Sequence, residues 1–141
     1  MEHPHHRGLQ QWIADLNRLY RLEPALHQGD FDQSGIEWID CHDVESSVIS
    51  LIREGRSTDD MILVVCNFTP VPRSNYRIGA PRGGYWKELL NSDATIYGGS
   101  GWGNIGGVHA MPIPLHGRSH SMTLIVPPLA ALFFKHHGGT A

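Results

Sequence analysis

The sequence predicts a mainly β protein, an antiparallel β-sandwich preceded by one amphipathic α-helix. Three observations carry this. About seven short segments rich in β-branched and aromatic residues are separated by turn signals, the pattern of a sandwich. Sixteen Gly and nine Pro in 141 residues favour turns and short strands over a helical bundle. Only the opening of the chain carries a helical period. Neither an internal repeat nor the strand–helix alternation of a parallel sheet is visible.

The helix comes first. Leu9, Trp12, Ile13, Leu16, Leu19 and Tyr20 follow the i, i+3, i+4, i+7 spacing of one helical face. Arg7, Asp15, Arg18 and Arg21 fall largely off that stripe. Pro24 disfavours the α conformation at Glu23, so the helix should end near Leu22, followed by a short turn through Ala25, Leu26 and His27. Past Gly29 the period changes. Residues 36–41 and 47–53 read as strands joined through Asp43-Val44-Glu45, and a polar loop runs from 55 to 60. Residues 61–68 form a continuous apolar run of strand length, as expected of a strand covered on both faces, and Pro70 and Pro72 end it. Shorter strands are expected at 75–78, 85–90, 107–111, 121–126 and 130–135.

Composition narrows the function. Eleven Lys and Arg against fourteen Asp and Glu give a formal charge of −3, which argues against a nucleic-acid coat or a basic membrane surface. No apolar run approaches the roughly 20 residues needed to span a bilayer. No basic-then-apolar leader is present, so a cytoplasmic location is expected. Two cysteines, Cys41 and Cys66, are too few for a disulfide framework, and a single bridge between them stays open.

Several motifs resemble chemistry and then fail on context. Gly101-Trp102-Gly103-Asn104-Ile105-Gly106 spells G-x-G-x-x-G, but the dinucleotide site needs a helix starting on those glycines, and Pro112 and Pro114 follow instead. The segment reads better as a long glycine loop. Asp30-Phe31-Asp32-Gln33-Ser34-Gly35 resembles the start of a calcium loop, yet the twelfth position is Cys41 where a bidentate Glu belongs. His116 and His120 have H-x₃-H spacing without a C-x₂₋₄-C partner, so no metal site is expected. Cys66 sits in an apolar strand, and no nucleophile elbow surrounds Ser119 and Ser121 beside His120. Asp30, Asp32, Glu37, Asp40, Asp43 and Glu45 occupy a stretch without Lys or Arg, best read as a solvated acidic edge. Of the four tryptophans, Trp12, Trp38 and Trp86 belong to periodic segments and are expected in packing. Trp102 lies in the glycine loop, where an indole either plugs the loop against the sandwich or offers a flat face to a sugar ring, with Asn104 as a polar companion.

Several longer runs together carry a resemblance. They are Asp15-Leu16-Asn17-Arg18-Leu19-Tyr20, Glu23-Pro24-Ala25-Leu26, Asp30-Phe31-Asp32 and Glu37-Trp38-Ile39-Asp40-Cys41. Further on come Val64-Val65-Cys66-Asn67-Phe68-Thr69-Pro70-Val71-Pro72, Leu90-Asn91-Ser92-Asp93, Tyr97-Gly98-Gly99-Ser100-Gly101, Gly103-Asn104 and Pro127-Pro128-Leu129-Ala130-Ala131. Over nearly the whole chain, from about His5 to Lys135, these resemble bacterial 1,4-α-glucan (glycogen) branching enzymes. Trp102 is not matched to the family pattern.

The resemblance implies a larger protein. Members have an N-terminal carbohydrate-binding sandwich, a central (β/α)₈ barrel and a C-terminal sandwich like that of α-amylases, with Greek-key topology. This chain looks like that last domain plus the final barrel helix: residues 1–28 the helix and connector, 29–137 the sandwich, 138–141 a tail. The family's catalytic carboxylates lie in the barrel, so none is carried over here. The parent reaction cuts an α-1,4 link in a glucan and transfers the released chain to a 6-hydroxyl, and this part of it needs no cofactor. The expected partners are the catalytic barrel, against the helix face of Leu9, Trp12, Ile13, Leu16, Leu19 and Tyr20, and α-glucan or glycogen. An uncovered helix face is also expected to drive self-association.

Overall fold

A computed structural model describes residues 4–27, 36–43, 47–55, 61–104 and 106–137; of these, the side chains of residues 4–6, 36, 38 and 40–43 are left aside. The calcium-like segment at 30–35, the carboxylates Asp30, Asp32 and Glu45, and the tail at 138–141 lie outside the described residues. So do the side chains of Trp38, Asp40, Cys41 and Asp43.

Helix α1 spans Pro4–Leu22. Proline suits the first helical position because its missing N–H would have no intrahelical partner there. The helix ends where expected. Glu23 is extended at φ −103°, ψ 109°, as the residue before a proline prefers, and Pro24–Leu26 form one 3₁₀ turn.

Among the described residues eight strands follow: β1 (Ile36–Asp43), β2 (Val48–Glu54), β3 (Met61–Asn67), β4 (Arg73–Ala80), β5 (Gly84–Asn91), β6 (Gly107–Ala110), β7 (His120–Val126) and β8 (Ala131–His136). All pair antiparallel. Six form one sheet in the order β1-β2-β3-β8-β5-β6, and β4 pairs with β7 in a second. The chain thus leaves the large sheet after β3, returns for β5 and β6, crosses again, and closes the gap between β3 and β5 with β8.

β3 explains the layering. Leu63 and Val65 point into the central core with Ile52, Trp86, Leu132 and Phe134, against Ile78, Met122, Leu124 and Val126 of the small sheet. Ile62 and Val64 point the other way, into a second cluster with Ala25 and Leu26, on which Leu19, Leu51 and Phe133 pack. The large sheet is therefore covered on one face by β4 and β7 and on the other by α1 and its 3₁₀ turn, which is why β3 is apolar on both sides. Lys135 Nζ reaches Glu23 Oε2 at 2.6 Å, and Arg53 Nη2 donates to the Leu26 carbonyl at 3.0 Å, fastening the end of the helix segment to β8 and β2.

The helix docks rotated toward one edge of its apolar stripe. At about 100° per residue, Gly8, Asp15, Leu19 and Trp12 fall within a sector of about 60°. This is the docked side: Gly8 and Asp15 are buried, and Trp12 meets the rings of Tyr97 and Phe133. Leu9, Tyr20 and Ile13 occupy the next sector, of about 40°, and remain 57%, 44% and 49% exposed. Asp15 lies off the apolar stripe, yet it belongs to the docked side. It is buried because Tyr97, Gln11 and Arg18 satisfy its carboxylate.

Candidate functional site

The glycine-rich segment after β5 is a dense polar construction. Asn91 ends the strand and accepts the Asp93 N–H on Oδ1 at 2.9 Å, an Asx turn that reverses the chain. Asp93 is itself buried and acts as the hub. Its carboxylate accepts from Ser100 N at 3.1 Å, Ser100 Oγ at 2.5 Å and Trp102 N at 3.2 Å, while its carbonyl accepts from Gly101 N at 2.8 Å. A 3₁₀ turn at Thr95–Tyr97 ends on Gly98 at φ +83°, and Gly101 lies at φ +88°, left-handed positions that glycine takes without strain.

This disposes of the dinucleotide reading on geometric grounds. The N–H groups of Ser100 and Trp102, which form the kind of concave nest that receives phosphate, already hold the chain's own Asp93 carboxylate. Strand β6, not a helix, follows the last glycine.

Asn104, expected beside a sugar, is buried and engaged internally. Its Nδ2 donates to Glu88 Oε2 at 2.9 Å and to the Ile125 carbonyl at 3.0 Å, and its Oδ1 accepts from Ile125 N at 2.8 Å. It pins the loop to β7. Trp102 stands out from the same loop at 46% exposure, so it does not plug the sandwich. Its backbone is held at both ends: its N–H by Asp93, and its carbonyl by Asn91 Nδ2 at 2.6 Å. A cleft of about 300 Å³ opens beside it, bordered by Glu88, Asn91, Thr95, Gly101 and Gly103.

The helix side of this loop is equally specific. Tyr97 Oη donates to Asp15 Oδ2 at 2.6 Å, and Gln11 Nε2 and Arg18 Nη2 donate to Oδ1 at 3.0 and 2.6 Å. The Tyr97 hydrogen bond, chiefly, holds the Asp15 carboxyl below its ordinary range against the opposing effect of burial. Burial and the Asp15 bond push the Tyr97 phenol up to about 12. Gly8 lets the helix approach: a Cβ there would sit 2.4 Å from the Tyr97 carbonyl oxygen.

The remaining groups resolve into structural roles. Cys66 is a free thiol, so no bridge joins it to Cys41, and burial raises its pKa, which leaves it a poor nucleophile. His116 Nδ1 accepts from the Gly79 N–H at 3.1 Å. Ser119 Oγ and His120 Nδ1 lie 2.8 Å apart on the surface, with no carboxylate of the described residues against the ring. Glu37 is paired with Arg118. Among the described residues no three His, Cys, Asp or Glu side chains converge as a metal site would need. No helix among them is long and apolar enough to cross a membrane. A second cleft, of about 390 Å³, lies between α1 and the large sheet, lined by Leu16, Tyr20, Leu26, Leu51, Val64 and Phe133.

Of the six stripe residues, Trp12, Leu16 and Leu19 turn toward this chain's own sheet, Tyr20 borders the cleft beside it and meets the His27 ring, and Leu9 and Ile13 stand exposed. Asp93, Tyr97 and Gly8 were not singled out from the sequence. The Asn-Ser-Asp run of residues 91–93 at a strand end was the available signal for the first.

Comparison with known proteins follows this architecture. The model of the family described as alpha amylase, C-terminal all-beta domain, matches residues 38–137. The 1,4-alpha-glucan branching enzyme of Aquifex aeolicus (strain VF5) is 55% identical over 138 residues, covering 98% of this chain and 22% of that protein. That of Aromatoleum aromaticum is 56% identical over 133 residues, covering 94% and 21%, and that of Burkholderia thailandensis is 53% identical over 135 residues, covering 96% and 16%. The chain thus spans about a fifth of the length of these curated relatives.

Proposed function

The chain belongs to the α-amylase C-terminal all-β domain family, and from that membership we propose that it is the C-terminal part of a cytoplasmic 1,4-α-glucan branching enzyme. In this reading the parent enzyme moves an α-1,4-glucan chain onto a 6-hydroxyl in its barrel. The present chain supplies no catalytic group and no cofactor site, and acts as a scaffold for that barrel. Residues 1–28 are the barrel's last helix and connector, 29–137 are the sandwich, and 138–141 form a tail.

One observation carries the scaffold role: α1 has two working flanks. Gly8, Trp12, Asp15 and Leu19 are committed to the sandwich side. Leu9 and Ile13, one helical turn apart, form an adjacent apolar row that stays about half exposed. A helix needs one apolar flank to sit on a sheet. A second flank, left open, fits a helix wedged between two bodies, with the barrel as the other.

The test is the double variant Leu9→Ser with Ile13→Ser, made both in this chain and in the full-length parent. In this chain both residues are exposed, so its melting temperature should hold and any self-association seen by sedimentation should fall. In the parent the melting temperature or soluble yield should drop. An unchanged parent, fully stable and active, would overturn the scaffold reading.

A further inference from the structure

We propose that the cleft beside Trp102 is a binding subsite for glucose units of an α-1,4-glucan, with the indole as stacking platform and Glu88 as hydrogen-bond acceptor. The substrate class rests on the branching-enzyme reading above, and the site itself rests on geometry.

Trp102 is 46% exposed, yet its main chain is fixed, clamped by the Asp93 carboxylate at its N–H and by Asn91 Nδ2 at its carbonyl. An exposed indole on a fixed loop loses little freedom when a ligand covers it, which is the condition for useful affinity from a single ring. The apolar C–H face of a pyranose is the chemical match for such a flat, amphipathic surface.

The rest of the cleft complements a polyol. Glu88 gives Oε2 to Asn104 at 2.9 Å, which fixes the carboxylate and leaves Oε1, on the Gly103 side, to accept sugar hydroxyls. Thr95, an exposed residue, lines the cleft on the Gly101 side. The floor is bare because it is built of glycine. A Cβ at Gly103 would press to 2.6 Å from Asn91 Nδ2, and one at Gly101 would meet Thr95 Cγ2 at 3.1 Å. The volume, about 300 Å³, is at the small end for organic ligands. The cleft therefore takes a short stretch of chain and not a deep substrate. Asn104, which a reading of the sequence pairs with Trp102, acts here only as the residue that positions Glu88.

The experiment is a titration of the ¹⁵N-labelled chain with maltoheptaose, following the indole N–H signals, with the Trp102 signal identified by its loss in Trp102→Ala. Supporting results are a saturable shift of that signal, affinity about tenfold weaker in Trp102→Ala, and partial retention in Trp102→Phe. Glu88→Gln, compared at equal melting temperature, should weaken binding severalfold. A Trp102 signal that stays put at millimolar maltoheptaose overturns the proposal, as does undiminished affinity in Trp102→Ala. Either failure leaves the scaffold reading standing, because that is tested separately, at Leu9 and Ile13 on the exposed flank of α1.

Discussion

The Tyr97 hydroxyl donates a 2.6 Å hydrogen bond to Asp15 Oδ2, joining residues 82 positions apart. Through it the helix and the glycine loop become one unit. Tyr97 also meets Trp12 edge-on at 5.1 Å, and its carbonyl is the surface on which Gly8 rests. The loop that presents Trp102 begins on the next residue.

This bond should make helix docking sensitive to pH at both extremes. Asp15 has its pKa lowered from 3.8, so its contribution is present above that value and fades as pH falls through the lower folded pKa. Tyr97 has its pKa raised from 10.0 to about 12, so its contribution is complete below 10 and is lost as pH rises through about 12. Tyr97→Phe keeps the ring against Trp12 and removes the donor. Melting temperature against pH should be lower for the variant on the plateau and flatter at both edges. Curves that run parallel to wild type from acid to alkali would mean the bond has no thermodynamic role.

Gly8→Ala sets two effects against each other. Alanine in a helix interior gains about 1 kcal/mol over glycine by propensity. A Cβ 2.4 Å from a backbone oxygen, however, forces the helix off the turn. Backbone cannot yield as a side chain can, so net destabilisation is expected, with faster hydrogen exchange across α1 while the sheet stays protected. A stabilised variant would show that this end of the helix is not in close contact.

Asn104→Ala removes three hydrogen bonds and leaves both backbone groups of Ile125 without that partner. The expected loss is about 1–3 kcal/mol. Asn104→Asp should be worse, since a carboxylate there would face Glu88 and the Ile125 carbonyl. Chemical denaturation measures both. A neutral Asn104→Ala would mean the loop is not anchored through β7.

Much of the fold was legible because its signals are local. The helix end followed from Pro24, and the two-sided burial of β3 followed from an unbroken apolar run. β4 was expected only at 75–78, but it runs Arg73–Ala80, because Asn75 at φ +58° lies within a register shift that disguises the alternation. The choice of helix flank was not legible. Apolar periodicity ranks Leu9 and Ile13 above Gly8 and Asp15, whereas docking was decided by a close approach and by one distant phenol. At the candidate site Trp102 stood out as an aromatic among glycines. Glu88 did not, since nothing in a strand sequence says which carboxylate a loop sixteen residues later will fix in place.

The position of β8 governs the order in which the molecule can be made. Until residues 131–136 have left the ribosome, β3 and β5 are bare edges, and the α1 seat lacks Phe133 and Lys135. The nascent domain therefore carries two unfinished half-sheets and an incompletely seated helix until β8 emerges. A stop codon anywhere before residue 131 leaves those edges open permanently, a template for chain-to-chain pairing. Such truncations should be far more prone to aggregate than point variants in the loops.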